Sequence, residues 1–224
     1  MHNILETFSK VYLINLKKRP ERLKKWLEDN KLVIENLSNL EIIEAVDGTK
    51  ISMNDWGFST GALGCLESHL NILKDAKQNK CNRILVLEDD FIFDENFMIQ
   101  FNEGYKELPD NWDMLYLYSS HFKNPKPYSE HLYRASAALS TVAYAVNAKT
   151  FDLLIKVLEL KVREVDVIFA HMHFLINAYA FKKNICHHYD GYSDVQNINT
   201  NYHQNNDIHP IKKKISSLKS KLFK

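Results

Sequence analysis

The run Ile84-Leu85-Val86-Leu87 passes directly into Glu88-Asp89-Asp90, and this junction constrains the chain more than any other. Four consecutive apolar residues read as a strand buried on both faces, the kind found in layered α/β structures. Three adjacent carboxylates repel one another, so their end of the strand must meet water, a cation or a cleft.

The rest of the pattern agrees with an α/β layout. "KVYLINL" reads as a strand, and "KKRPERLKKWL" opens a helix with Pro20 at its first position and Leu23, Trp26 and Leu27 on one face. "IIEAVDG" is a short strand and turn, followed by "STGALGCLESHLNILKDA", where Leu63, Leu66, Leu70 and Leu73 recur at helical spacing. "WDMLYLY" and "STVAYAV" are further strands, and "NAKTFDLLIKVLEL" is a helix with Asn147 as N-cap and Phe151, Leu154 and Leu158 as its buried stripe. "DVIFAHMHFLINAYAF" reads as one buried helix. Alternating strands and helices predict a mostly parallel sheet covered on both faces, and ligands of such sheets bind at the carboxyl ends of the strands.

With 45% apolar residues among 224, only six glycines and no internal repeat, the chain suits one domain, expected over 1–209. The segment 210–224, "PIKKKISSLKSKLFK", carries six lysines and no acid; without it, 23 basic residues face 28 acidic ones. An acidic body argues against nucleic acid as a partner. Ile211, Ile215, Leu218 and Leu222 fall on one stripe of a basic amphipathic tail. A solvated end helix is the first reading of it, and weak peripheral membrane contact the second. Three cysteines without metal-ligand spacing, and no visible signal peptide or membrane span, favour a cytoplasmic location.

Three acids at a strand end have several chemical readings. Carboxylate oxygens suit Mg²⁺ or Mn²⁺, which would neutralise a nucleotide diphosphate. A receiver-domain reading fails, because the motif lies in mid-chain and the next strand ends in Tyr118 and Ser119 rather than in an aspartate. A solvated strand-to-loop junction remains the bland alternative.

Seven ordered blocks, "VYLINLKKRPERL", "AVDG", "GALGCLESHLNIL", "ILVLEDDFIF", "WDMLYL", "STVAYAV" and "VDVIF", together resemble glycosyltransferase family 25, which includes lipopolysaccharide and procollagen galactosyltransferases. The resemblance implies a GT-A type fold, a UDP-sugar donor, Mn²⁺ (or Mg²⁺), inversion at the anomeric carbon and a glycan or glycoprotein acceptor. It places Glu88 and Asp90 as metal ligands, with Asp89 between them beside the donor, and Asp166 of "REVDVIF" as general base. Glu164 and Asp113 are its substitutes, and a helix N-cap is its bland role. Galactose is the expected sugar, glucose or N-acetylhexosamine the alternatives. A non-catalytic nucleotide- or glycan-binding protein is the rival from another class.

Further donor-binding candidates follow the same blocks. Asn15 offers an amide to a base or ribose, while Arg19 and Arg22 offer guanidinium groups to phosphate. Asp47 stands in the "AVDG" turn, Gly64 allows close backbone approach, and Ser68 and His69 add polar groups one turn on. For Ser68 and His69 a hydrogen-bonded core role competes evenly. His187 and His188 could each complete a metal site, whereas His171 and His173, two apart on a helix, point away from each other.

Overall fold

The computed structural model describes residues 4–200 apart from 38, 53–54, 122–123, 194 and 196–197. In chain order its elements begin with β1 (Lys10–Asn15), α1 (Pro20–Asp29), α2 (Lys31–Ile34), β2 (Leu40–Glu44), α3 (Thr60–Gln78), β3 (Arg83–Glu88) and β4 (Phe91–Phe93). Next come α4 (Phe97–Lys106), β5 (Met114–Tyr116), β6 (Ser120–His121), β7 (Lys126–Pro127), β8 (Leu132–Arg134), β9 (Ala138–Leu139) and β10 (Ala143–Asn147). The last are α5 (Phe151–Glu159), α6 (Val165–Met172), β11 (Ala178–Phe181), β12 (Cys186–His188), β13 (Gly191–Ser193) and β14 (Ile198–Thr200).

Eight strands form the central sheet in the order β2-β1-β3-β10-β5-β11-β8-β7. Their pairings leave six strands running one way, with β10 and β8 against them. Side chains alternate across the sheet as the two-residue period of a strand requires. Ile84 and Val86 of β3 pack with Leu66 and Leu70 of α3, Leu154 of α5 and Phe169 of α6 on one face. Leu85 and Leu87 pack with Trp26 of α1 and with Phe97 and Phe101 of α4 on the other. The near-continuous apolar run of β3 is therefore the signature of a strand with a core on each side.

The antiparallel insertion of β10 has a direct consequence for the carboxyl edge of β3. Ala143 pairs with Leu87, and the Glu88 N–H donates to the Val142 carbonyl at 2.8 Å. Residues 140–142, which precede β10, are thereby delivered to the end of the sheet where β1, β3 and β5 finish.

The long helix expected over 166–181 divides into a helix and a strand. Helix α6 stops at Met172, and Ala178–Phe181 form β11, parallel to β5. A short apolar run that is buried on every side has no distinguishing period, so strand and helix look alike there. Phe174 and Leu175 are 73% and 74% exposed in the intervening turn, which no buried helix would allow. The tail expected as an amphipathic helix at 210–224 lies outside the described residues. Among the described residues no helix is long and apolar enough to cross a membrane.

Candidate active site

A cavity of about 140 Å³ opens at the carboxyl edge of β1 and β3, lined by Lys18, Arg22, Asp47, Thr60, Gly61, Cys65, Ser68, His69, Glu88, Asp89, Asp90 and Val195 among others. Its floor is the acidic junction, and its side wall is the first two turns of α3. Close packing of the 45–49 loop on α3 makes that wall. A Cβ on Gly48 would lie 1.7 Å from the Thr60 carbonyl oxygen, and one on Gly64 would lie 2.4 Å from that of Val46. Gly64 serves helix-to-loop packing and is not among the lining residues, whereas Gly48 and Gly61 are.

The three acids diverge. Asp89 is buried, receives the Asn15 amide at 2.5 Å and pairs with the Arg22 guanidinium. Asn15 donates its other amide hydrogen to the Arg19 carbonyl at 3.1 Å, so both its donors are spent. Its amide nitrogen fixes Asp89. Arg22 also reaches Asp90 at 3.3 Å, and Arg19 pairs with Glu21 at 2.6 Å at the start of α1, outside the cavity lining. Burial pushes the Asp89 carboxyl up to about 7, although the Arg22 charge opposes the shift.

Glu88 faces α3. Its Oε1 accepts from the Thr141 hydroxyl at 2.7 Å and lies 3.3 Å from His69 Nε2. Burial would raise this carboxyl, but contacts with His69 and Thr141 hold it below the usual range. His69 is fully buried, with Nδ1 at 2.8 Å from the Tyr144 hydroxyl. Ser68 spends its hydroxyl on the fold, donating to the Gly64 carbonyl at 2.7 Å and accepting from the Val46 N–H at 2.9 Å. Asp47 caps the turn after it by accepting from Thr49 N–H at 3.1 Å and Thr49 Oγ1 at 2.8 Å, with Lys18 at 3.6 Å.

Asp90 points elsewhere. Its Oδ1 is buried with no hydrogen-bond partner and lies 3.9 Å from His188 Nδ1. Burial, and the neighbouring charge of Glu88, hold its carboxyl above the usual range. His187, one residue earlier on β12, instead pairs with Asp94 at 2.6 Å and is exposed. Asp90 Oδ1 beside the His188 imidazole offers two donor types that suit a divalent cation, while Glu88 and Asp89 turn to other partners, and among the described residues no cluster of three close ligand atoms includes Asp90. His171 and His173 are separate, as their spacing predicts: His171 is exposed, and His173 is buried against the Tyr116 hydroxyl at 2.9 Å.

Asp166 lies in the first turn of α6, whose N-cap is Glu164. Asp166 therefore does not occupy the N-cap position, which falls two residues earlier and carries no side-chain capping hydrogen bond. Asp166 accepts from the Val167 N–H at 2.8 Å. Burial raises the Asp166 carboxyl above its ordinary value; the Ser140 backbone opposes that upward shift, while the Glu88 charge adds to it. Ser140 holds φ at +87°, a left-handed conformation that costs a non-glycine residue on the order of 1 kcal/mol or more. Asp113 lies away from the cavity, receiving Asn177 N–H at 2.6 Å and Thr150 Oγ1 at 2.6 Å at the opposite edge of the sheet. Thr141, Tyr144 and Cys65 are the site residues that sequence reasoning missed. The first two depend on the antiparallel register of β10, but Cys65 stands four residues before His69 and could have been found by helical spacing.

The fold and this cavity define an α/β domain with an acidic, cation-suited site at the carboxyl edge of its sheet. Residues 8–169 match the model of glycosyltransferase family 25 (LPS biosynthesis protein). The chain belongs to that family. It is 32% identical over 167 residues to a procollagen lysyl hydroxylase and glycosyltransferase of Acanthamoeba polyphaga mimivirus, covering 62% of this chain and 18% of that protein. It is 24% identical over 174 residues to procollagen galactosyltransferase 2 of Mus musculus, covering 66% of this chain and 27% of that one. The chain thus spans less than a third of the length of these relatives. A solved glycosyltransferase involved in glycosylation of the major capsid of PBCV-1 is similar at a TM-score of 0.39 and 12% identity, over 69% of this chain and 67% of that one. The layered sheet with helices on both faces is the architecture expected of a GT-A type domain.

Proposed function

We propose that the chain transfers a hexose, galactose by analogy with its relatives' names, from a UDP-sugar to a hydroxyl of a glycan or glycoprotein acceptor, with inversion. Collagen-like chains and lipopolysaccharide are the acceptor classes that the family's names favour. The observation that carries this reading is the buried Asp90 Oδ1 without a hydrogen-bond partner, on a residue that lines the cavity with Glu88 and 3.9 Å from His188 Nδ1. Glu88, Asp90 and His188 would hold Mn²⁺ or Mg²⁺, which would offset the diphosphate charge and make UDP a better leaving group.

The chain's own residues supply the remainder. Asn15 and Arg22 keep Asp89 fixed, so the acidic turn holds its shape. At about 140 Å³ the cavity is smaller than the roughly 300–1,000 Å³ of typical ligand pockets, so it suits the diphosphate and its cation, with the nucleoside and sugar extending past the rim. Val195, whose carbonyl accepts from Ser59 Oγ at 2.6 Å, stands at that rim. Asp166, on a different element from the acidic turn, takes the proton from the acceptor hydroxyl as that oxygen attacks the anomeric carbon. Its raised pKa suits a base that must hold a proton briefly.

A donor screen that measures UDP release with and without Mn²⁺, followed by mass spectrometry of candidate acceptors, tests the proposal. Mn²⁺-dependent release from one UDP-hexose with a matching mass gain on an acceptor is the expected result. Release from no UDP-sugar in the presence of any of these acceptors would contradict it.

A further inference from the structure

The wall of the cavity holds a second set of ligand atoms, softer than the carboxylates of the floor. Cys65 and His69 are four residues apart on α3 and so share a helix face. Cys65 Sγ, a His69 ring nitrogen and a Glu88 oxygen all lie within 4.8 Å of one another. His69 Nε2 is buried and makes no hydrogen bond, although Glu88 Oε1 is 3.3 Å away. A charge-assisted hydrogen bond would be shorter, near ~2.7–2.9 Å. Two ligands at about 2.0–2.1 Å from a tetrahedral zinc ion, by contrast, stand roughly 3.3 Å apart.

The surroundings match what such an ion needs. A histidine that binds metal through one nitrogen donates the other N–H to a fixed partner, and a ligating carboxylate is itself hydrogen-bonded. His69 Nδ1 meets the Tyr144 hydroxyl at 2.8 Å, and Glu88 Oε1 receives the Thr141 hydroxyl at 2.7 Å. A thiolate, an imidazole and a carboxylate select zinc over magnesium or manganese. The other cluster of this kind among the described residues, Glu107, Glu130 and His131, is already consumed by hydrogen bonds to Ser129 and His131.

We infer that Cys65, His69 and Glu88 form a binding site for a thiophilic divalent cation of the Zn²⁺ class, separate from the position facing Asp90 and His188. Binding replaces the Cys65 S–H proton with the ion and releases that proton to the buffer. The fourth position faces the cavity, since Cys65, His69 and Glu88 all line it. If the proposed donor reading holds, an ion here takes Glu88 from the catalytic cation, and Zn²⁺ inhibits transfer.

Calorimetric titration of the full chain with Zn²⁺ in excess Mg²⁺ tests the site, with Co²⁺ absorbance as a second readout. Expected are one Zn²⁺ per chain, a thiolate-to-cobalt charge-transfer band, and protection of Cys65 from alkylation read by peptide mass spectrometry; Cys81 and Cys186 are buried and serve as internal controls. Cys65→Ala should remove the band and weaken Zn²⁺ at least ~10-fold, while Asp90→Ala should leave Zn²⁺ affinity unchanged. That last outcome separates this site from the proposed catalytic one. Absence of Zn²⁺ binding by the folded chain, or full affinity in Cys65→Ala, would overturn the assignment. Should Cys65→Ala fail to fold, absence of the band and of alkylation protection in the wild type would do the same.

Discussion

At the junction of Glu88, Asp89 and Asp90, consecutive side chains turn to different elements. Asp89 is held by α1 and β1, Glu88 by α3 and the residues before β10, and Asp90 faces β12. His188→Ala should therefore weaken Mn²⁺-dependent UDP binding, whereas His187→Ala, whose partner is Asp94, should leave it within error; the reverse order would move the cation to the other histidine. Asp166 makes a separate claim. Asp166→Asn keeps an acceptor for the Val167 N–H, so donor affinity and melting temperature should persist while transfer falls ~10²-fold or more. Near-normal turnover in that variant would reduce Asp166 to a structural acceptor.

Among the elements, the contact between α3 and the 45–49 loop is tightest where two glycines meet. Gly64→Ala puts a methyl 2.4 Å from the Val46 carbonyl oxygen and 2.7 Å from the Gly48 nitrogen, and should cost about 1–3 kcal/mol. Gly57→Ala, which meets nothing within 4 Å, is the control in the same thermal melt. A second element test concerns pH. The carboxylate of Glu107 joins α4 to the residues before β8 through Ser129 Oγ at 2.5 Å and His131 Nδ1 at 2.6 Å. Glu107 raises the His131 pKa above its ordinary 6.5, so that contribution is full below 6.5 and fades as pH rises through the shifted value. Burial opposes ionisation of Glu107, but Ser129 and His131 outweigh it and lower its pKa below 4.5, so its contribution is present above 4.5 and fades in acid. The loss of melting temperature on Glu107→Gln should be largest between those two values and smaller at pH 8. A loss that grows toward pH 8 would reverse the sign of the linkage.

Most of this level was legible in the sequence. The 3.6-residue period of α3 and the doubly apolar run of β3 announce themselves, because each reports a face that must be buried. Helix α6 and strand β11 did not separate, since an apolar stretch covered on all sides carries no period. Thr141 and Tyr144 were hidden for a different reason: their approach to Glu88 and His69 is a property of strand order, with β10 running backwards beside β3. Asn15 and Ser68 were found by motif, but a motif does not show that their hydrogen bonds are already spent within the fold.

For the molecule as a whole, five segments of chain line the cavity at one edge of the sheet, and the functional reading rests on that edge. Deleting Lys212 to Lys224 should leave turnover of a soluble acceptor nearly unchanged, because none of the residues proposed for the site lies in that tail; loss of donor binding in a folded truncation would place the tail in the site. The central claim is that the acidic floor holds a cation which in turn holds the donor diphosphate. Calorimetric titration of UDP into wild type and Asp90→Ala, each with Mn²⁺ and with excess chelator, tests it most directly. The account predicts measurable affinity only for wild type with Mn²⁺; equal UDP affinity in wild type with and without the metal would contradict it.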